Sequence, residues 1–218
     1  MRGILTLVFD DGYKDVYDAV IPLLKKYRIR AVFAVPLSPM NTRIENEVVE
    51  SVDHWQKTAE QEGHELAAHG ITHHNLTTLS HTQLIEELAV PVKQLSAQTL
   101  VYPGGAYNDN VLTEAKKLYR AARTVKFGLE SIPPLKPFEL KTINYTKKNF
   151  SLARANLYAL VAYLQNKWCI ETFHMIRNRH SAMKHAVSLD DLEAHLDFIA
   201  SIPISTLPIR NVINEYEK

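Results

Sequence analysis

Short apolar runs alternate with amphipathic stretches along almost the whole chain, and this alternation restricts the fold more than any other feature. It is the pattern of α/β proteins with parallel strands, each strand returning through a helix. Residues 4–9, 30–35, 65–68, 99–102, 121–125, 169–175 and 204–207 read as strands. Between them, 16–26, 48–62, 83–95, 110–119, 152–165 and 189–200 read as helices, the first with Val16, Val20, Ile21 and Leu24 at helical spacing. Gly63 is placed to stop one helix and Ser80 and Ser188 to open two others, while Pro91 should kink or shorten its helix. Residues 36–47 read as a polar connection and 131–137 as a proline-rich irregular stretch, and Pro208 should end the last strand. The expectation is an irregular (β/α) barrel of about seven strands, with a doubly wound sheet as the competing architecture. No repeat or low-complexity linker divides the chain, so residues 1–218 read as one domain.

Composition removes several classes of function. Lys+Arg 25 against Asp+Glu 24 leaves a net charge of +1, so no global field recommends nucleic acid or an anionic membrane. With one cysteine, Cys169, there is no intramolecular disulfide and no cysteine metal cluster, and its apolar neighbours suit a buried thiol. No segment reaches the roughly 18 apolar residues of a membrane span. The apolar start of the chain is too short for a secretory core and no small-residue cleavage site follows it, which makes a cytoplasmic protein the expectation. Function must then be local, at the C-terminal ends of the strands.

Four features stand there. Asp10-Asp11-Gly12 follows the first strand and, taken alone, reads first as a turn. His69 and His73 in His69-Gly70-Ile71-Thr72-His73 stand four apart, which puts both on one face of a helix or of an extended segment. Two imidazoles and one carboxylate from another strand form an open site of the kind used by catalytic zinc and non-haem iron. Of two adjacent carboxylates, one can hold the cation while the other takes a proton from a water that the cation acidifies. The turn in Val101-Tyr102-Pro103-Gly104-Gly105 is either an ordinary strand-to-helix connection or a donor of backbone N–H groups to an oxyanion. His174, near the end of an apolar strand, is either a hydrogen-bonded core residue or an acid for a leaving group.

In this order the features resemble the polysaccharide deacetylase family, also called the NodB-homology or carbohydrate esterase 4 family. Phe9-Asp10-Asp11-Gly12 resembles its T-F-D-D-G motif, His69-Gly70-Ile71-Thr72-His73 its H-[ST]-x-x-H motif, and residues 30–35 its second strand. The resemblance implies a NodB-like barrel that removes N-acetyl or O-acetyl groups from a sugar or oligosaccharide. It implies Asp10 as general base, Asp11, His69 and His73 as ligands of a divalent metal, Gly104 N–H as oxyanion donor and His174 as general acid. Zinc comes first for that ligand set, with cobalt, manganese and iron also admitted. The chain departs from the family where an R-x-P-Y motif is expected: Val101 stands in place of the arginine that orients the base. Arg123 is a candidate replacement and, equally, a candidate structural ion pair. The family's fourth motif has no clear match, which leaves Glu171 as a speculative partner for His174. His64 and His74 read as outer-shell or surface residues, with His74 the alternative ligand. Two other readings stand beside it: a catalytically silent sugar-binding domain that keeps the fold after losing the arginine at 101, and an Fe(II) oxygenase that uses the same two histidines and carboxylate and leaves Asp10 without a role.

Overall fold

Parallel strands close into a barrel in the computed structural model, which describes residues 3–38, 43–177 and 183–216. The barrel strands are β1 (Ile4–Asp10), β2 (Val32–Val35), β3 (Glu65–Ala68), β4 (Thr99–Val101), β5 (Ala121–Phe127), β6 (Leu140–Asn144) and β7 (Trp168–Phe173), each pairing with the next. The last pairs back on the first, from Ile4 opposite Trp168 to Phe9 opposite Phe173. That closure rules out the open, doubly wound sheet. Helices α1 (Lys14–Tyr27), α2 (Val52–Glu62), α3 (His81–Leu95), α4 (Asp109–Leu118), α5 (Leu152–Leu164), α6 (Leu189–Ser201) and α7 (Ile209–Tyr216) complete the set.

The number of barrel strands agrees with the sequence, but one member differs. The expected strand at 204–207 is only Ser205–Thr206, which pairs beside Ile4 and Leu5 below the point where β2 joins β1 at Val8. Its place among the seven is taken by β6, reached from β5 through a short 3₁₀ turn, Pro137–Glu139, and no helix. Helix α2 starts at Val52, later than expected, because Val48 belongs to a small hairpin with Arg43 and Ser51 accepts from His54 N–H as the cap. Helix α3 opens on a Ser80–Gln83 capping box and runs through Pro91 to Leu95. Part of the connection expected over 36–47, residues 39–42, lies outside the described residues.

Strand alternation sorts the core into two layers. Ile4, Val8, Val32, Ala34, Ala67, Val101, Ala121, Leu140, Trp168 and Ile170 pack together inside the barrel, and Ile209, Val212 and Ile213 of α7 plug its N-terminal end. Leu5, Leu7 and Phe9 face outward and join the larger cluster with Val16, Val20 and Leu24 of α1. Cys169 is fully buried in this outer cluster, and burial, with Glu171 adding, pushes its thiol pKa up, as its apolar neighbours implied. No helix of the described residues is long and apolar enough to cross a membrane.

His64 corrects an expectation. It is neither on the surface nor at the outer shell of a ligand set, but lies at the N-terminal end of β3, 3% exposed, where its Nδ1 accepts from Ala31 N–H at 3.1 Å. Burial is the main cause that pushes its pKa down to about 4, with Glu62 opposing and Arg210 and Arg30 assisting. A histidine depressed in the folded state stabilises the fold above the unfolded pKa of about 6.5 and loses that contribution as pH falls toward the folded value. Between pH 7 and pH 5 this group should remove about 2 kcal/mol of unfolding free energy. Urea unfolding of His64→Gln, which keeps an acceptor for Ala31, should show a pH dependence smaller by that amount; equal pH dependence in the two proteins would contradict the assignment.

Candidate metal and catalytic centre

The site begins with a change of backbone direction at the end of β1. Asp10 keeps the strand's alternation and faces the interior with Ile4, Thr6 and Val8. Asp11 and Gly12 follow with φ of +70° and +66°. Aspartate tolerates the left-handed region better than most residues. A Cβ on Gly12 would stand 3.2 Å from Trp55 Nε1 and 3.3 Å from Val35 Cγ1, so this corner is closed as well as left-handed. Two neighbouring carboxylates are thereby sent to different surroundings.

Asp11 meets both histidines of the loop after β3. Its Oδ1 lies 3.3 Å from His69 Nε2 and 3.1 Å from His73 Nε2, and the candidate ligand atoms of the three residues lie within 4.8 Å of one another. His69 is buried, and its Nδ1 donates to the Val101 carbonyl at 2.8 Å, since a carbonyl can only accept. Protonated, the ring gives Asp11 an Nε2–H; in its neutral form it turns a bare Nε2 lone pair toward the carboxylate oxygen. Such a pair repels unless a cation stands between them, so the donor set suits a divalent metal with a backbone partner fixing the tautomer. Burial works to raise the Asp11 pKa, but hydrogen bonds from His69 and His73, with the charges of His69 and His174, hold it well below the usual carboxylate range. His73 is raised in turn: burial opposes its charge and Asp11 outweighs burial. His74, the alternative ligand, is exposed and turned to Thr72 Oγ1 at 2.9 Å.

Asp10 meets a guanidinium. Arg123 Nη2 donates to Asp10 Oδ2 at 2.5 Å, and the side chains are 1% and 5% exposed. Arg123 is the register partner of Val101 on the adjacent strand, so the cation comes from the strand next to the one where the resemblance led us to expect it. His174 Nε2 stands 3.6 Å from the same Oδ2, while Asp10 Oδ1 is buried with no partner among the described residues. Glu171 does not reach His174. It alternates to the outer face of β7, where it accepts from Tyr145 O–H at 2.9 Å and pairs with His195 Nε2 at 2.8 Å in a fully buried network.

Pro103-Gly104-Gly105 forms the expected turn, with Gly104 at φ +60° and no atom within 4 Å of where its Cβ would stand. The turn's own hydrogen bonds are donated by Gly105 N–H to Tyr102 O and by Ala106 N–H to Pro103 O. The seven residues given catalytic or metal-binding roles from the sequence line one cavity of about 480 Å³: Asp10, Asp11, His69, His73, Gly104, Arg123 and His174, while Glu171, His64 and His74 do not. Asn144, at the end of the unforeseen strand β6, and His185, whose ring lies 4.9 Å from that of His174, line it as well. No motif signalled either residue.

Removing one member of a buried ion pair strands the other, typically at a cost of about 3–5 kcal/mol. Arg123→Leu should be destabilised by about that amount in urea titrations. Adding Asp10→Asn should return part of the loss; strictly additive losses would show that the two groups do not interact.

Comparison with known proteins agrees with this geometry. The profile of the family described as Polysaccharide deacetylase matches residues 2–122, more than half of the chain. YxkH of Bacillus subtilis (strain 168), named as a polysaccharide deacetylase, is 30% identical over 139 residues, covering 57% of this chain and 46% of that protein. The chain thus spans a little under half the length of that relative. Among solved structures, the deacetylase PplD of Streptococcus pyogenes in complex with acetate superposes with a TM-score of 0.53 at 26% identity, over 62% of this chain and 63% of that one. A family 4 acetyl xylan esterase from Clostridium thermocellum in complex with a cobalt ion superposes with a TM-score of 0.62 at 15% identity, over 97% and 91% of the two chains.

Proposed function

The chain belongs to the polysaccharide deacetylase family, and on that premise we propose that it is a metal-dependent hydrolase that removes N-acetyl or O-acetyl groups from a sugar or oligosaccharide. The observation that carries this reading is the separation of two adjacent carboxylates, Asp11 toward two imidazoles and Asp10 toward a guanidinium, at one cavity. In this reading the barrel acts as one catalytic unit. Asp11, His69 and His73 hold a divalent metal, zinc first, and the cobalt in the acetyl xylan esterase supports that class of ion. Bound there, such an ion polarises an acyl carbonyl and makes water a stronger acid.

The remaining roles belong to the chain itself. Asp10 accepts the proton of the attacking water, through the oxygen that Arg123 leaves unpaired. Arg123 fixes that carboxylate in direction by donating to its other oxygen. Gly104 N–H faces the oxygen on which charge develops, at a turn with room for a substrate. His174, close to Asp10 and in the same cavity, gives its proton to the departing amine nitrogen or sugar oxygen. A silent sugar-binding domain was suggested by the loss of an arginine at 101; a guanidinium on Asp10 removes that motive.

The experiment is metal analysis followed by an acetate-release screen over N- and O-acetylated mono- and oligosaccharides. His69→Ala should lose metal and acetate release together. Asp10→Asn should keep its metal and lose roughly 10²–10⁴-fold in turnover. Loss of metal from Asp10→Asn would mean that the two aspartates have exchanged roles, and normal activity in metal-free His69→Ala would end the metal-dependent reading.

A further inference from the structure

The two candidate histidine ligands sit on a loop whose shape is imposed from outside the cavity. Glu87, on the buried face of α3 with Leu84, Leu88 and Pro91, is 7% exposed and turns its carboxylate into the His69–His73 loop. Its Oε2 accepts from Ile71 N–H at 2.6 Å and Thr72 N–H at 3.2 Å, and its Oε1 accepts from the Thr72 hydroxyl at 2.5 Å. The carbonyls of the same loop are held from the other side: Gly70 O accepts from Leu37 N–H at 3.3 Å and Ile71 O from Ser38 N–H at 2.7 Å. A Cβ on Gly70, whose φ is +75°, would stand 2.7 Å from Glu87 Oε2, so the carboxylate occupies the space a side chain would need. The chain leaves this clamp directly into His73, itself at φ +65°.

We infer that Glu87 is a positioning residue for the metal centre, fixing the loop so that His69 and His73 present their Nε2 atoms to one oxygen of Asp11. The inference rests on the metal-ligand reading of those three residues. The carboxylate suits its partners: each group aimed at Glu87 donates where it lies, and a carboxylate offers acceptors only. An apolar side chain at 87 would leave the two N–H groups and the hydroxyl without their acceptor. A loop freed from the clamp would have to order itself when a cation binds, and that conformational entropy would be subtracted from affinity. Glu87 touches neither the cavity lining nor the reacting groups, so its influence is on metal affinity and not on the chemical step.

The test titrates the full chain with zinc against a chromophoric chelator and, alongside, melts the metal-free proteins. Glu87→Leu, which removes all three acceptor contacts, should bind zinc weaker by on the order of tenfold or more, the scale seen when groups that orient metal ligands are removed. Acetate release at saturating zinc should return close to that of the unaltered protein. Thr72→Val, which removes one of the three bonds without changing charge, should weaken zinc in the same direction by less. A purely structural role would lower the melting temperature of the metal-free protein and leave zinc affinity alone; unaltered affinity in Glu87→Leu, or in Thr72→Val should the first variant not fold, overturns the inference. Failure of the unaltered protein to bind zinc is a different result, which overturns the metal-centre reading on which the inference stands.

Discussion

A guanidinium and a carboxylate, both buried at the mouth of a closed barrel, are the contact around which this structure is organised. Neither Arg123 nor Asp10 could be held away from water without the other, because an isolated buried charge is far costlier than a paired one. The pair forms because β1 and β5 both send alternate residues inward, so that a barrel with mostly apolar lower layers ends in a charged layer. The plug of Ile209, Val212 and Ile213 closes the opposite end. Near that end the interior holds one further buried carboxylate, Glu65, which accepts from the Thr99 hydroxyl and from Arg210 N–H.

From that layer follows the difference between Asp10 and Asp11. Residues next to each other in a strand would face opposite sides of the sheet, and the left-handed corner at Asp11 and Gly12 takes the second carboxylate out of the ladder altogether. One aspartate is then surrounded by imidazole nitrogens, the other by an arginine and a histidine whose Nδ1 has no partner among the described residues. The substitution at 101 leaves this arrangement intact because the ladder offers a second route to the same point. Val101 and Arg123 are register partners, so a side chain as long as arginine reaches Asp10 from either strand. Val101 keeps a role through its carbonyl, which fixes the tautomer of His69.

Much of this was legible in the sequence, for a local reason. Apolar periodicity and caps such as Ser80 and Ser188 are encoded within a few residues, and polar groups at strand ends stand out against apolar runs. What escaped depended on long-range contacts or on elements too short for their period to show. Strand β6 has an exposed Lys141 as its second residue and no helix before it, so it breaks the strand-helix alternation that revealed the others. Helix α7 is short and follows a proline, and only its docking under the barrel gives it meaning. Glu171 looked close enough to serve His174, yet an offset of three on a strand puts the two on opposite faces. Glu87 is one of two adjacent glutamates on a helix, and nothing in the sequence separates the one that grips the histidine loop.

The account stands or falls on the assignment of Asp11, and not Asp10, to the cation. Anomalous diffraction from crystals soaked in a zinc or cobalt salt, with data collected across the metal edge, tests this directly. The account predicts one strong peak within bonding distance of an Asp11 oxygen, His69 Nε2 and His73 Nε2, with Asp10 remaining on Arg123. A peak that has Asp10 among its ligands, or that stands away from the two histidines, would contradict it.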